Sequence, residues 1–178
     1  WIWLQLKIIA DIGIIGMPNA GKSSLLSVLT KAKPKIANYP FTTLNPNLGV
    51  TSYSNKEVTL ADIPGIVEGA HQGVGLGYKF LRHVERCKSL IHLIDITENN
   101  IIKNYIKIRK ELTKYNDNLA KKREIIVFNK IDMMSSDEIK NKINIFKKEI
   151  KKNIFQISVV QKKGLTSLKK LMFHNVLK

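Results

Sequence analysis

The sequence has little cysteine, little arginine and no long apolar run. Its single cysteine, Cys87, cannot form a disulfide framework, so we expect a reducing compartment and take the protein to be cytoplasmic. No apolar run approaches the roughly 18 residues that cross a bilayer, so we expect no membrane span. The apolar opening resembles a signal peptide, but Lys7 and Asp11 interrupt it and no small-residue cleavage site follows.

The length and composition favour one folded domain. The chain has 178 residues, of which 44% are hydrophobic and 25% are charged, and this argues against wholesale disorder. It contains no internal repeat and no linker rich in proline, glycine or serine, so we predict a single domain. It also lacks an initiating methionine, and we therefore expect it to be part of a longer protein.

The charge is strongly positive and unevenly distributed. The net charge is +16, and residues 99–178 carry 20 lysines and arginines against 7 acidic residues. Such a basic half indicates attraction to phosphate backbones or anionic lipid. Arginine occurs at only four positions, and scattered lysine is also what a biased composition produces. Both interpretations stay open.

Apolar runs alternate with amphipathic stretches along the chain. Six of these runs are typical of strands, at residues 10–16, 48–53, 58–63, 90–96, 124–128 and 154–158. Helical spacing of apolar residues follows at 101–119, at 139–150 behind a capping box of Ser135 and Glu138, and at 165–172. The alternation predicts an α/β fold with a mostly parallel, six-stranded sheet. Ligands of such sheets bind beyond the carboxyl ends of the strands.

A phosphate loop follows the first strand. Residues 16–23 fit G-x-x-x-x-G-K-[ST], between a strand and a helix. Glycines let backbone N–H groups turn towards a β-phosphate, Lys22 reaches the β and γ oxygens, and the Ser23 hydroxyl can bind Mg²⁺. A chance match is the alternative, and the strand–turn–helix context makes it rarer. The predicted contacts are Gly16, Pro18, Asn19, Ala20, Gly21, Lys22, Ser23 and Ser24.

Two further segments are typical of a γ-phosphate switch. Asp62-x-x-Gly65 ends a strand, and it places a carboxylate for the Mg²⁺ shell and a backbone N–H for the γ-phosphate. Thr43 is the favoured threonine ligand of Mg²⁺, with Thr42 as the alternate. The glycine-rich stretch 68–77 is either a mobile switch loop or simple disorder. The other predicted contacts here are Phe41, Ile63 and Pro64.

A base pocket is predicted after the fifth of these strands. Asn129, Lys130 and Asp132 form N-K-x-D, in which the carboxylate can accept from N1–H and the 2-amino group of guanine. A site of this kind can reject adenine by ~10⁴–10⁵-fold. The Lys130 stem can lie over the base, and Asn129 can tie this loop to the phosphate loop. Ser158 and Val159 follow the last strand, where a backbone N–H can meet guanine O6.

The order of these motifs is that of a Ras-like GTPase domain, and the surrounding residues resemble the bacterial Obg/CgtA GTPases. The resemblance rests on residues 16–23, 33–49, 62–77 and 80–87, which read GMPNAGKS, KPKIANYPFTTLNPNLG, DIPGIVEGAHQGVGLG and FLRHVERC. It implies a Ras-like fold at 7–178, with residues 1–6 the tail of a preceding domain. It also implies GTP hydrolysis to GDP and phosphate by a monomer, and a role in large ribosomal subunit (rRNA) assembly and in stress responses.

The resemblance also implies roles for individual residues. The catalytic residues would be Lys22, Thr43 and Gly65, and the Mg²⁺ ligands would be Ser23, Thr43 and Asp62. Ile66 stands where Ras has a water-orienting glutamine, so intrinsic hydrolysis should be slow. Related GTPases with the same phosphate loop use the asparagine at position 19 to hold K⁺. The serine of the last loop is usually followed by alanine, whereas Val159 stands here.

Some residues and some rival functions stay open. His71 can approach the attacking water or have no role, and Arg82 and Arg86 are either a solvated helix face or an arginine finger. The rival functions are an ATP-using P-loop enzyme, a non-catalytic RNA-binding module with a structural nucleotide, and another translation-associated GTPase family.

Overall fold

A computed structural model describes residues 9–30, 35–36, 46–63, 81 and 83–176. Its strands within these ranges are β1 (Ala10–Ile15), β2 (Lys35–Ile36), β3 (Asn47–Tyr53), β4 (Lys56–Asp62), β5 (Cys87–Asp95), β6 (Arg123–Asn129) and β7 (Ile154–Gln156). The helices, in the same ranges, are α1 (Lys22–Leu29), α2 (Ile101–Tyr115), α3 (Asp117–Ala120), α4 (Ser136–Ile150) and α5 (Leu165–Val176), with a 3₁₀ turn at Ile131–Met133.

The strands form one twisted sheet in the order β2-β3-β4-β1-β5-β6-β7. All neighbours from β4 to β7 pair in parallel, whereas β3 pairs antiparallel with both β2 and β4. The predicted α/β class with a mostly parallel sheet is therefore confirmed. The six predicted strands are all present, and the two-residue β2 adds a short seventh strand at the antiparallel edge.

Strand and helix ends differ modestly from the sequence prediction. Strand β5 begins at Cys87 and not at residue 90, because the Lys88 side chain that breaks the apolar run points outwards to Asp11, with Nζ 2.7 Å from Oδ1. Strand β7 ends at Gln156, and Ser158 lies in an isolated bridge with Lys163. The predicted capping box of α4 is present, with Ser135 and Glu138 capping each other.

The helices cover both faces of the sheet. On one face α1 and α5 bury Leu25, Leu26, Leu168 and Met172. On the other face α2 packs through Ile108 and Leu112, and α4 packs through Ile143 and Phe146. Strand β1 lies in the middle with both faces covered, so its side chains are almost all buried, as expected of a central parallel strand. Within the described ranges, no helix has the length and apolarity to cross a bilayer.

A buried charged cluster pins α2 to strand β6 on this second face. The Glu124 side chain is 2% exposed, and its Oε1 lies 3.1 Å from His92 Nδ1 and 3.5 Å from Arg109 Nη1. Its Oε2 accepts from the Tyr105 hydroxyl at 3.0 Å and from Lys152 Nζ at 2.9 Å. Burial opposes ionisation of Glu124, but the bond from His92 and the nearby positive charges outweigh it and lower its pKa to about 2.

The parallel register brings four strand ends to one edge of the sheet. Ile14 of β1 is level with Asp62 of β4, and Asp95 of β5 is level with Asn129 of β6. The loops that leave these strands therefore meet at the carboxyl edge, where open parallel sheets place their ligands.

Candidate functional site

The loop between β1 and α1 depends on two glycines. At Gly16, with φ +155°, an added Cβ would lie 2.2 Å from the Leu93 carbonyl oxygen of β5. At Gly21, with φ +95°, an added Cβ would lie 2.5 Å from Asn129 Nδ2. Both contacts are too close for any side chain, so the loop can lie against β5 and β6 only with glycine at these positions.

The helix that follows the loop presents free amide groups. Gly21 is the N-cap of α1 and provides no side-chain acceptor, and the first turn contains no acidic residue. The first N–H groups of a helix have no partner within the helix, and they carry the positive end of its dipole. This end of α1 is therefore ready to bind an anion enclosed by the loop.

Lys22 is held at the mouth of the loop. It is 8% exposed, and its Nζ donates to the carbonyl oxygens of Gly16 at 3.2 Å and of Met17 at 3.0 Å. Burial lowers its pKa, while the charge of Asp62 partly opposes that change. Two carbonyl dipoles leave a largely desolvated ammonium incompletely balanced, so a phosphate oxygen nearby would stabilise it.

A hydroxyl and a carboxylate lie together beside the loop. Ser23 Oγ donates to Asp62 Oδ2 at 2.5 Å, and Asp62 is 5% exposed. The other carboxylate oxygen, Oδ1, is buried and has no hydrogen-bond partner. Mg²⁺ is a hard cation that takes oxygen ligands, usually one or two from the protein and the rest from phosphates and water. The orphaned oxygen and the adjacent hydroxyl therefore fit this ion.

Asn129 connects three loops. Its side chain is 3% exposed, and Nδ2 donates to the carbonyl oxygen of Ala20 in the phosphate loop at 3.0 Å. Its Oδ1 accepts from the backbone N–H of Val159 in the last loop at 3.2 Å. Because Asn129 itself ends β6, one buried amide fixes the relative positions of the phosphate loop, the N-K-x-D loop and the last loop.

Lys130 is oriented by a carboxylate that the sequence analysis did not single out. Its backbone is left-handed, with φ 66°, and its Nζ lies 2.5 Å from Asp95 Oδ2. Asp95 Oδ1 accepts from Thr97 N–H at 2.9 Å and from the Thr97 hydroxyl at 2.6 Å. Burial disfavours the ionised Asp95, but the bonds from Lys130 and Thr97 outweigh it and lower its pKa. The sequence feature that could have identified Asp95 is an aspartate that ends an apolar strand two residues before a threonine.

The predicted base-pocket residues Asp132, Ser158 and Val159 differ in how their polar groups are bonded. Asp132 Oδ1 is buried and has no hydrogen-bond partner among the described residues, so it is an unused acceptor. Ser158 is fully buried, and its hydroxyl accepts from Gln161 N–H at 3.0 Å. The Val159 N–H donates to Asn129 Oδ1 at 3.2 Å, and a backbone N–H of this loop that meets guanine O6 stays a prediction.

The remaining predicted residues divide into three groups. Pro18, Asn19 and Ser24 are exposed on the loop and first helical turn, while Ala20 is buried. The Ile63 side chain is fully buried in the core and its N–H donates to the Ile14 carbonyl at 3.2 Å, and its contact with a nucleotide stays a prediction. The following lie outside the described residues: Phe41, Thr42, Thr43, Pro64, Gly65, Ile66, the stretch 68–77 with His71, and Arg82.

Comparison with known proteins identifies the family. Residues 11–130, which contain the phosphate loop and the first two residues of N-K-x-D, match the family described as 50S ribosome-binding GTPase. The chain belongs to this family. Relatives of this 50S ribosome-binding GTPase domain include the GTPase Obg of Pelagibacter ubique, 56% identical over 168 residues, and that of Rickettsia felis, 52% identical over 176 residues. The predicted resemblance to the Obg GTPases is confirmed.

The relatives are longer than this chain. The alignments cover 94% and 99% of the chain but 51% and 53% of the two Obg proteins, so the chain spans about half the length of the curated relatives it matches. Among solved structures, Aquifex aeolicus Era bound to GDP·AlF₄⁻ has a TM-score of 0.73 and 25% identity, covering 93% of this chain and 56% of that one.

A second solved structure supports the fold alone. The G domain of the Thermotoga maritima iron transporter FeoB has a TM-score of 0.69 at 24% identity, and the match covers 92% of this chain and 96% of that domain. Together with Era, it confirms the predicted Ras-like fold of this 50S ribosome-binding GTPase domain.

Proposed function

We propose that this domain binds GTP and hydrolyses it to GDP and phosphate as a molecular switch of the Obg type. One observation carries the proposal: Asn129 of N-K-x-D donates to the Ala20 carbonyl oxygen of the phosphate loop and accepts from the Val159 N–H of the last loop. The phosphate loop contributes Lys22 and Ser23, and N-K-x-D contributes a carboxylate oxygen of Asp132 that has no partner among the described residues. A guanine nucleotide is the ligand whose phosphates and base would satisfy both sets of groups.

At the phosphate end, the chain's own groups would hold and neutralise the triphosphate. Amide N–H groups at the start of α1 would donate to the phosphate oxygens, and Lys22 would exchange its two loop carbonyls for β and γ oxygens. These donors are in place before binding, so stabilising the charge that develops during transfer costs little reorganisation.

Mg²⁺ would be held beside this end by the Ser23 hydroxyl and by Asp62 through its shell, with Thr43 completing the set and Thr42 as the alternate. When bound, the ion neutralises charge on the β and γ oxygens. The Ser23–Asp62 bond keeps the two protein groups within reach of one ion.

At the base end, Asp132 would select guanine. Its buried oxygen would accept from the N1–H and 2-amino donors, which adenine lacks. Lys130 is held by Asp95, and its stem would lie over the base. A buried acceptor left unpaired is costly, so rejection of adenine follows from the same oxygen.

Hydrolysis is proposed to be slow and to respond to potassium. Ile66 cannot hydrogen-bond an attacking water, so the domain lacks the glutamine that Ras uses. Asn19 is exposed on the phosphate loop with a left-handed backbone, φ 62°, and its side chain is free to help hold K⁺ near the phosphates.

We expect turnover in KCl to exceed turnover in NaCl at equal ionic strength. Replacement of Asn19 by alanine should bring the KCl rate down to the NaCl rate and leave GDP affinity within about threefold, less than 1 kcal/mol. Phosphate release under single-turnover conditions measures this. Equal rates in the two salts, or an unaffected Asn19→Ala variant, contradicts the potassium role.

For the whole protein we propose a role in large ribosomal subunit assembly, with the large subunit and its rRNA as the partner, and a link to stress responses. The family description and the name of the Obg relatives support this. We also propose that the protein works as a monomer in the cytoplasm, and that residues 1–6 are the tail of a preceding domain.

A nucleotide competition tests the proposed function. We expect Mg·GDP and Mg·GTP to displace a fluorescent GDP analogue from the chain, and ATP to fail at concentrations ~10⁴-fold higher. Adding EDTA should weaken GTP binding, because Ser23 and Asp62 would lose the ion they share with the phosphates. Displacement by ATP as readily as by GTP indicates the ATP-using enzyme. Tight GTP binding with no phosphate release, even with ribosomal subunits, indicates the non-catalytic RNA-binding module.

A further inference from the structure

A second concave surface lies away from the nucleotide crevice, between helices α2 and α4. This α2–α4 groove has a volume of about 870 Å³. Its base is firm, because the Tyr105 and Phe146 rings pack edge to face beneath it with centroids 5.3 Å apart. The Lys142 ammonium also anchors α4 to the loop after β5, by donating to the carbonyl oxygens of Ile96 at 2.7 Å and Glu98 at 2.9 Å.

The wall of this groove on α2 carries a row of lysines. Lys103, Lys107, Lys110 and Lys114 recur at four- and three-residue spacing, which places them along one side of the helix. Within the described ranges, Lys103, Lys110 and Lys114 have no acidic partner, and all three are exposed. The one acidic residue among those that line the groove in these ranges is Glu111, which is itself buried.

The floor of the groove is apolar. Ile106 is 38% exposed and Ile145 is 56% exposed, and they face the groove from the two helices together with the half-buried Ile102. A large isoleucine surface left in water between two packed helices loses stabilisation that a covering apolar side chain would recover. The groove therefore combines an apolar strip with a row of lysines, three of which (Lys103, Lys110 and Lys114) have no acidic partner among the described residues.

We propose that the α2–α4 groove is the docking site for an acidic amphipathic helix of a partner protein. Such a helix would place leucine or isoleucine at helical spacing over Ile106 and Ile145, and glutamate or aspartate against Lys103, Lys110 and Lys114. Charge complementarity selects the partner, and the apolar strip supplies the buried area.

The same surface fits nucleic acid less well. A phosphate backbone would pair with the lysines but leave the isoleucine strip uncovered. No aromatic side chain among the described residues lines the groove, so a single strand would find no platform on which its bases could stack. The apolar strip of isoleucines therefore favours a protein partner over RNA.

The binding test uses three labelled probes of about 20 residues or 20 base pairs, enough to span the groove. The first is a designed peptide with leucine at the a and d heptad positions and glutamate elsewhere. The second is a scrambled peptide of equal composition, and the third is a duplex RNA. Fluorescence anisotropy with the whole chain at about 0.15 M salt measures the dissociation constant of each, since lower salt exaggerates surface charge.

The variants separate charge from the apolar strip. We expect the amphipathic peptide to bind at least about tenfold more tightly than the scrambled one, and the variant K103E/K110E/K114E to lose about tenfold or more. A control with the same charge change outside the groove, K56E/K121E/K170E, should lose far less. The exposed pair I106S/I145S should also weaken the peptide about tenfold, and circular dichroism checks that each variant is folded.

Three results overturn the proposal. The first is that the two peptides bind with equal affinity. The second is that I106S/I145S leaves the affinity of the amphipathic peptide unchanged. The third is that duplex RNA binds more tightly than the amphipathic peptide and that its affinity depends only on the lysines. The last result would assign the groove to RNA.

Discussion

Replacing Asp132 by asparagine is expected to abolish the preference for guanine nucleotides. The wild-type carboxylate has a buried oxygen with no hydrogen-bond partner in the part of the chain that the structure describes, and guanine would supply two donors to it. The asparagine side chain would keep one acceptor oxygen, but its NH₂ group would face the N1–H and 2-amino groups of guanine, which are themselves donors. We expect the ratio of GDP to ADP affinity to fall by ~10⁴-fold, which is what hydrogen-bonding sites of this kind provide.

Calorimetric titration of GDP, ADP and xanthosine diphosphate measures this change. Xanthine carries a carbonyl where guanine has its 2-amino group, so the asparagine N–H would have an acceptor and xanthosine diphosphate should bind better to the variant than to the wild type. The matched control is Asp137→Asn, because the Asp137 side chain is 92% exposed five residues further on and the charge change is the same. An Asp132→Asn variant that binds GDP as tightly as the wild type contradicts the base-pocket assignment.

Replacing Glu124 by glutamine should lower the free energy of unfolding by ~3–5 kcal/mol, the usual cost of removing one partner from a buried ionic cluster. The change leaves the volume almost unchanged but removes the negative charge that His92, Arg109 and Lys152 surround. Urea denaturation at pH 7 measures the loss. Glu149→Gln, on the exposed side of α4, is the control and should stay within about 0.5 kcal/mol of the wild type.

The lowered pKa of Glu124 determines the pH range in which this stabilisation is lost. The pKa of Glu124 is lowered from 4.5 to about 2 in the folded chain, so the unfolded chain binds the proton more readily. The stabilisation is fully present above about pH 4.5 and is lost as the pH falls towards 2. The difference between wild type and Glu124→Gln should therefore be constant near neutral pH and shrink in that acidic window. A difference that does not shrink there places the effect in packing and not in charge.

Local sequence signals were enough for the strands, the phosphate loop and N-K-x-D, because each depends on neighbouring residues. Alternating apolar runs located the parallel strands, and Gly16, Gly21 and Lys22 gave the loop its chemistry. A sequence motif cannot predict contacts between residues that are distant in the chain. Asp95 bonds to Lys130 from 35 positions away, and the residues next to either one do not predict this ion pair.

The buried cluster around Glu124 was missed for the same reason. Glu124 reads as an ordinary surface residue at the start of an apolar strand, and only the packing of α2 on the sheet surrounds it with His92 and Arg109. Ile63, a predicted ligand contact, turns its side chain into the core, where it packs against Gly13, and its contact with a nucleotide stays a prediction. The switch threonines stay a prediction, since they lie outside the described residues.

The amide of Asn129 couples the last loop to the phosphate loop. The same side chain accepts from Val159 N–H and donates to the Ala20 carbonyl oxygen, so a displacement of one loop would shift the group that positions the other. Val160, the next residue, is 82% exposed, so this corner of the last loop is accessible from solvent. Keeping the last loop in place is therefore part of keeping the phosphate loop in place.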